Sequence, residues 1–182
     1  MTDIVRFTWE WSGFTGAPGF TNIYAQGADP EDVGIAFHAF LAGTAAALPD
    51  DVHIHLRNEG EVISAETGVL QAVIPFTPPA DVVGANSGPY SAASGMCISW
   101  STGGLVAGHR VRGRTFIVPL SGAAYDTTGT LQDDTVTGER GLLTTYLAAA
   151  AGQMVIWSRP RTNLVGSAHP VTGFTLRDRV AV

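Results

Sequence analysis

The chain contains no lysine. Its ten basic residues are all arginine and stand against sixteen acidic ones, for a formal net charge of −6. Such a balance argues against a general nucleic-acid binder, because phosphate contacts need a net basic face. Arginine suits planar, bidentate pairing with carboxylates and is more easily desolvated than an ammonium. The codon usage of a GC-rich genome gives the same depletion, together with the alanine and glycine load. Charged residues make up only 14% of the chain, which leaves much of the surface to Gly, Ser, Thr and Ala. A surface of that kind often finds its place against other subunits.

Cysteine is nearly absent as well. The single Cys97 cannot form an internal disulfide, so oxidative stapling plays no part in the fold. Long apolar runs are missing: "AAALPDD" and "AAAAGQ" interrupt the best candidates for a membrane span. The opening "MTDIVRFTWEW" has neither the basic nor the apolar region of a signal peptide. The expectation is a protein made and folded in a cytoplasm, with no membrane partner.

What is present is enough for a core. The 182 residues are 45% hydrophobic and carry no linker or shift of composition, which points to an ordered single domain over 1–182. "IVRFTWEW" (4–11) alternates and is rich in β-branched and aromatic residues, so it reads as a strand, with "FTNIYA" returning as a second. In "ADPEDVGIAFHAFLAGTAAALPDD" the period changes to that of a helix. Asp29 is placed to cap it, Pro30 fits its first position, Glu31 and Asp32 suit its first turn, and Pro49 stops it. "DVHIHLR", "EGEVISAE" and "GVLQAVIPF" read as a three-strand meander. "TPPADVVGANSGPYSAASG" reads as a loop with one helical turn around Tyr90–Ala93.

"MCISWST" (96–102) and "RGRTFIVPL" read as strands joined by the Gly-rich "GGLVAGHRV". "TVTGERGLLTTYLAAAAG" reads as a second long helix, capped by Asp133 or Asp134 and ended at Gly152. "QMVIWSR" and "VTGFTLRDRVAV" close the chain as strands. The expected class is α+β: a mostly antiparallel sheet of about eight or nine strands with two long helices. Trp11-Ser12, Trp100-Ser101 and Trp157-Ser158 each close a β-like run, as large aromatics do where core strands end.

The search for chemistry gives little. His53 and His55 are two apart on a strand, so both imidazoles face one side and could meet one metal or form a pH-sensitive contact. A third ligand would have to come from His38, His109 or His169, and two histidines alone more simply decorate a polar strand face. "GANSG" (84–88) misses the G-x-S-x-G elbow by one position, Cys97 sits inside an apolar strand, and "GLVAGHRVRG" lacks the Lys-Ser/Thr of a phosphate loop. No enzyme is expected, and no cofactor or metal.

Arginine spacing is the most informative pattern. Arg110, Arg112 and Arg114 alternate with Val111 and Gly113, so a regular strand would place them, with Phe116 and Val118, on one face. Like charges so close call for acidic partners or phosphate; the acids are either the chain's own, such as Asp126, Asp133 and Asp134, or those of a neighbour, and pairing with protein is the favoured reading. Arg159 and Arg161 flank Pro160, and Arg177 and Arg179 alternate around Asp178. All seven are expected interface residues.

Taken together, "FTWEWSGFTGAPGFTNIYA", "GMCISWSTGG…HRVRGRTFIVPLS" and "MVIWSRPR…VTGFTLRDRVAV" resemble a group of small structural or hypothetical proteins of tailed bacteriophages. The resemblance spans most of the chain, but it rests on strand-end and turn signatures and brings no functional residue with it. It implies a virion component, made in the host bacterial cytoplasm, that docks on the capsid as a cement or minor capsid protein, or in the connector or tail. The partners it implies are other virion proteins, with homo-oligomers among them. A tail-associated receptor- or glycan-binding module is the alternative, with Trp9, Trp11, Tyr90 and Trp100 as stacking faces. A metal-dependent hydrolase comes last.

Overall fold

The computed structural model describes residues 3–13, 19–43, 45, 48, 50–85, 95–106, 109–119, 153–159, 165–171 and 173–179, with 95–106, 109–119 and 173–179 described by backbone. These residues form one helix and eleven strands, and every strand pairing is antiparallel. The centre is β1 (Asp3–Ser12), whose alternation predicted a strand, with β2 (Gly19–Ala25) alongside it from Val5↔Ala25 to Trp11↔Gly19.

Along its other edge β1 meets two strands end to end. β3 (His53–Leu56) covers Trp9–Ser12 and β4 (Glu59–Ser64) covers Asp3–Arg6. The two are one chain path, kinked at Arg57–Asn58, with the Arg57 amide still donating to the Thr8 carbonyl. β5 (Leu70–Pro75) returns along β4 as a hairpin, and β6 (Val82–Val83) pairs with β3. β9 (Met154–Ser158) and β10 (Ser167–Pro170) extend the sheet beyond β2. A separate three-stranded sheet holds β7 (Gly95–Val106) between β11 (Gly173–Arg179) and β8 (His109–Pro119).

The helix α1 (Pro30–Gly43) lies on one face of the large sheet, with Val33, Gly34, Phe37, His38, Phe40 and Leu41 buried. Beneath it, the odd-numbered positions of β1 bring Val5, Phe7 and Trp9 into the main core. The Phe7 ring runs close to Gly34 of α1 and to Gly60 of β4, positions where a Cβ would meet it at 3.1 Å. Small residues there let helix, ring and strand approach closely. Trp9 and Phe37 meet edge to face at 5.0 Å. A smaller cluster on the opposite face gathers Ile4, Ile63, Ala65 and Val155. Partly buried Tyr24, Trp157 and Ala168 flank it.

Some sequence expectations change, and others fall outside the described residues. Among the described residues there is one long helix, because the second, expected at 135–152, lies outside them. The first ends at Gly43 rather than near Pro49, since Ala45 and Leu48 bond three residues back in tight turns that a glycine admits more readily than a helix does. The strand count exceeds the expected one because the short β6 and β10 carry too little periodicity to be read. The helical turn expected at Tyr90–Ala93 lies outside the described residues. Trp11-Ser12 and Trp157-Ser158 do end strands, but Trp100-Ser101 falls inside β7, which runs on through "GGLV". No helix among the described residues is long and apolar enough to cross a membrane.

Candidate functional site

The outer face of the large sheet, away from α1, concentrates polar chemistry at one end. There the register aligns Phe20 on β2, Glu10 on β1 and His55 on β3 in one row, and β3–β6 pairing continues it to Asp81. His53 lies two residues along on the same face as His55, as its spacing predicted: the strand's exposures alternate between the exposed histidines and buried Ile54 and Leu56. These groups, with Trp11, Ser12, Gly19 and Arg57, line an open cleft of about 590 Å³.

Two side-chain pairs order the cleft. Arg57 Nε donates to Glu10 Oε1 at 2.7 Å, and a terminal guanidinium nitrogen reaches the same oxygen. His55 Nδ1 donates to Asp81 Oδ1 at 2.8 Å; the contact is an ion pair when the imidazole is protonated and a hydrogen bond otherwise. Further along the same face Arg6 pairs with Glu61, and Thr8 donates its hydroxyl to Asn22 Oδ1 at 2.8 Å.

Asp81 is held from behind. The preceding residue, Ala80, accepts a hydrogen bond from Nε2 of the buried His38 at 2.9 Å, and Val82 is buried against the core. The other side of the cleft is shaped by Trp11, whose indole lies over Gly19, its cross-strand partner. A Cβ at Gly19 would clash with the indole nitrogen. Phe20, the next residue and on the outer face, is 71% exposed.

The histidines offered as further metal ligands are engaged elsewhere. His38 is buried on Ala80, and His169 on β10 bonds the Ser167 hydroxyl at 2.9 Å. His109 opens β8 in the other sheet. Among the described residues no group of three or more His, Cys, Asp or Glu is placed to hold a metal ion.

The arginines fall into the three-stranded sheet with one correction. Arg112 registers with Ser101 and Arg114 with Ser99, whereas Phe116 registers with Ile98 and Val118 with Met96. Ile98 and Ser99 are adjacent and so belong to opposite faces. The extra residue, Thr115, is a bulge that moves Arg112 and Arg114 to the face opposite Phe116 and Val118. The same register puts Arg177 with Cys97 and Arg179 with Gly95. Four arginines therefore share one face, on the two edge strands of this sheet. Arg110 registers with Leu105 beyond a second irregularity. Arg159 is exposed just past β9, and Arg161, Asp126, Asp133 and Asp134 lie outside the described residues.

Of the aromatics expected as stacking faces, Trp9 is buried in the core at 1% exposure and cannot serve; Trp11 is half-buried at the cleft, and Tyr90 lies outside the described residues. Sequence reasoning missed Phe20, Glu10, Arg57 and Asp81. Strand alternation in "FTNIYA" carries the signal for Phe20, since Thr21, Ile23 and Ala25 take the buried face. Nothing in "TPPADVV" marks Asp81, which is placed by contacts distant in sequence.

A second surface also went unread. β5 pairs only with β4 and is exposed at all six positions, with Leu70 at 52% and Val73 at 46% exposure. Val69 and Ile74 are exposed apolar residues of the same hairpin. The hairpin turn is fixed by Gly68, whose φ of +71° suits glycine and whose amide donates to the Ser64 carbonyl. Trp157 covers that turn and donates its Nε1 to the Ala65 carbonyl at 2.7 Å.

No family model, no curated protein and no solved structure matches the chain.

Proposed function

We propose that the protein is a bacteriophage virion structural protein that works by docking rather than by chemistry. It sits on the capsid as a cement or minor capsid component, or in the connector or tail, and stabilises the particle through contacts with its own copies and with other virion proteins. The observation that carries this reading is the β4–β5 hairpin. Its outer strand presents Val69, Leu70, Val73 and Ile74 to solvent while carrying no charge. An exposed apolar edge strand is a surface to be covered.

The hairpin is built for side-chain docking rather than strand addition. The Phe76 amide donates to Asn58, so the neighbouring Pro75 turns its nitrogen outward, where a partner strand would need an N–H. Gln71 is the extra residue of a β-bulge, a second interruption of the open edge. What remains is an apolar ridge anchored by Trp157. The four arginines on the second sheet complement it, with acidic groups of neighbouring subunits as their partners.

The test is the solution mass of the purified protein, measured by light scattering for the parent and for a Val73→Glu, Ile74→Glu variant. A defined oligomer that falls to monomer in the folded variant supports hairpin-mediated assembly. An oligomer that the variant leaves intact removes the hairpin from the interface. A parent that is monomeric and fails to bind purified particles of its phage sinks the docking reading.

A further inference from the structure

We propose that the cleft on the outer face of the large sheet is a binding site for a neutral oligosaccharide, with Phe20 as its stacking platform. Three observations converge on that chemistry.

The first is that the polar side chains are already paired. Arg57 is committed to Glu10, and His55 to Asp81, within the cleft itself. A charged ligand meets groups that already have a partner and gains less from them than from unpaired ones. A neutral ligand leaves both intact.

The second is the hydrogen-bonding capacity that the pairs leave over. Both Arg57 contacts fall on one oxygen of Glu10, and His55 meets one oxygen of Asp81. The second oxygen of each carboxylate, the remaining guanidinium N–H groups and His55 Nε2 lie outside these pairs and make up a mixed set of acceptors and donors. Neighbouring hydroxyls of a sugar ring present the same mixture, and planar carboxylate and guanidinium groups engage two of them at once. Because each polar side chain is already fixed by its partner, little rotamer freedom is lost on binding.

The third is shape. Phe20, Glu10, His55 and Asp81 form one row across four adjacent strands, which at the spacing of sheet strands spans about 14 Å. That is longer than one sugar ring and suits a short linear chain of them. The exposed ring at one end of the row meets the apolar C–H face of a sugar, and the polar groups meet its edge. The volume of the cleft, about 590 Å³, lies in the range of small-ligand sites.

This inference stands apart from docking through β5, since it uses the opposite end of the sheet and no residue of that hairpin. It is tested on the full chain by saturation-transfer NMR and calorimetry against neutral di- and trisaccharides of glucose, galactose, mannose and N-acetylglucosamine. A sialylated and a sulfated oligosaccharide serve as charged comparisons. The expected result is saturable binding of at least one neutral oligosaccharide, weakened about tenfold or more by Phe20→Ala and retained by Phe20→Trp. Asp81→Ala, which removes the partner of His55 and a carboxylate of the row, weakens it too. Phe20 and Asp81 are exposed, so unchanged circular dichroism is expected for each variant. Binding of the charged sugars alone, binding indifferent to Phe20→Ala, or no binding across the neutral panel would each overturn the assignment.

Discussion

His38, buried on α1, holds the carbonyl oxygen of Ala80 at 2.9 Å from its Nε2. The next residue, Asp81, faces outward to His55. One short segment is thus fastened on both sides of the sheet, and the inner contact fixes where the outer carboxylate stands.

Replacing His38 with alanine removes that bond and leaves a hole in the core beside Phe37. The expected cost is about 2–4 kcal/mol, combining lost packing with an unpaired carbonyl. Urea denaturation measures it. The Asp81 end of the cleft should also loosen, seen as faster amide exchange at Val82 and Val83. A stability loss with unchanged exchange there would separate packing from positioning.

Gly60 lies where a Cβ would come within 2.7 Å of Val5 Cγ1 and 3.1 Å of the Phe7 ring. Both neighbours are core side chains with little room to yield. Gly60→Ala is expected to destabilise the fold by about 1–3 kcal/mol through overpacking. A neutral or stabilising result in thermal unfolding would mean that β4 shifts away from β1 at no cost.

Trp157→Phe keeps a ring over the hairpin turn but leaves the Ala65 carbonyl without its donor. The expected loss is about 1–2 kcal/mol. Hydrogen exchange at the Thr67 and Gly68 amides should rise more than exchange in α1. Uniform acceleration throughout would show that Trp157 supports the whole sheet rather than the turn.

Salt distinguishes the two docking surfaces. Contacts made by Arg112, Arg114, Arg177 and Arg179 weaken as sodium chloride screens them, whereas burial of Val73 and Ile74 does not. Light scattering at low and high salt should therefore show an oligomer that dissociates if arginines dominate and one that persists if the hairpin does. An Arg112→Glu, Arg114→Glu variant should abolish the salt-sensitive component alone.

Arg57→Ala serves as a control on these measurements. Its pair with Glu10 is roughly half exposed on both sides, and surface pairs of that kind contribute about 0–1 kcal/mol. A larger change in urea midpoint would mean that the pair braces the kink between β3 and β4.

By itself the sequence determined the local elements. Alternation in "IVRFTWEW" and "HIHL" fixed which side chains face the core, because successive residues of a strand point to opposite faces. Pro30 and the acids after it fixed where α1 begins. What lay beyond it were the relationships that depend on pairing between distant segments. "GVLQAVIPF" has the composition of a buried strand, and only the sheet order, which leaves β5 outermost, makes it an exposed ridge. The arginine alternation reads as one face with Phe116 until the pairing with β7 introduces the bulge at Thr115. Asp81, in a segment with no periodicity, acquires its place from His38, forty-two residues from Ala80, and from His55, twenty-six residues from Asp81 itself. Periodicity is a property of neighbours along the chain. The cleft and the ridge are properties of neighbours across the sheet, and those the tertiary structure alone decided.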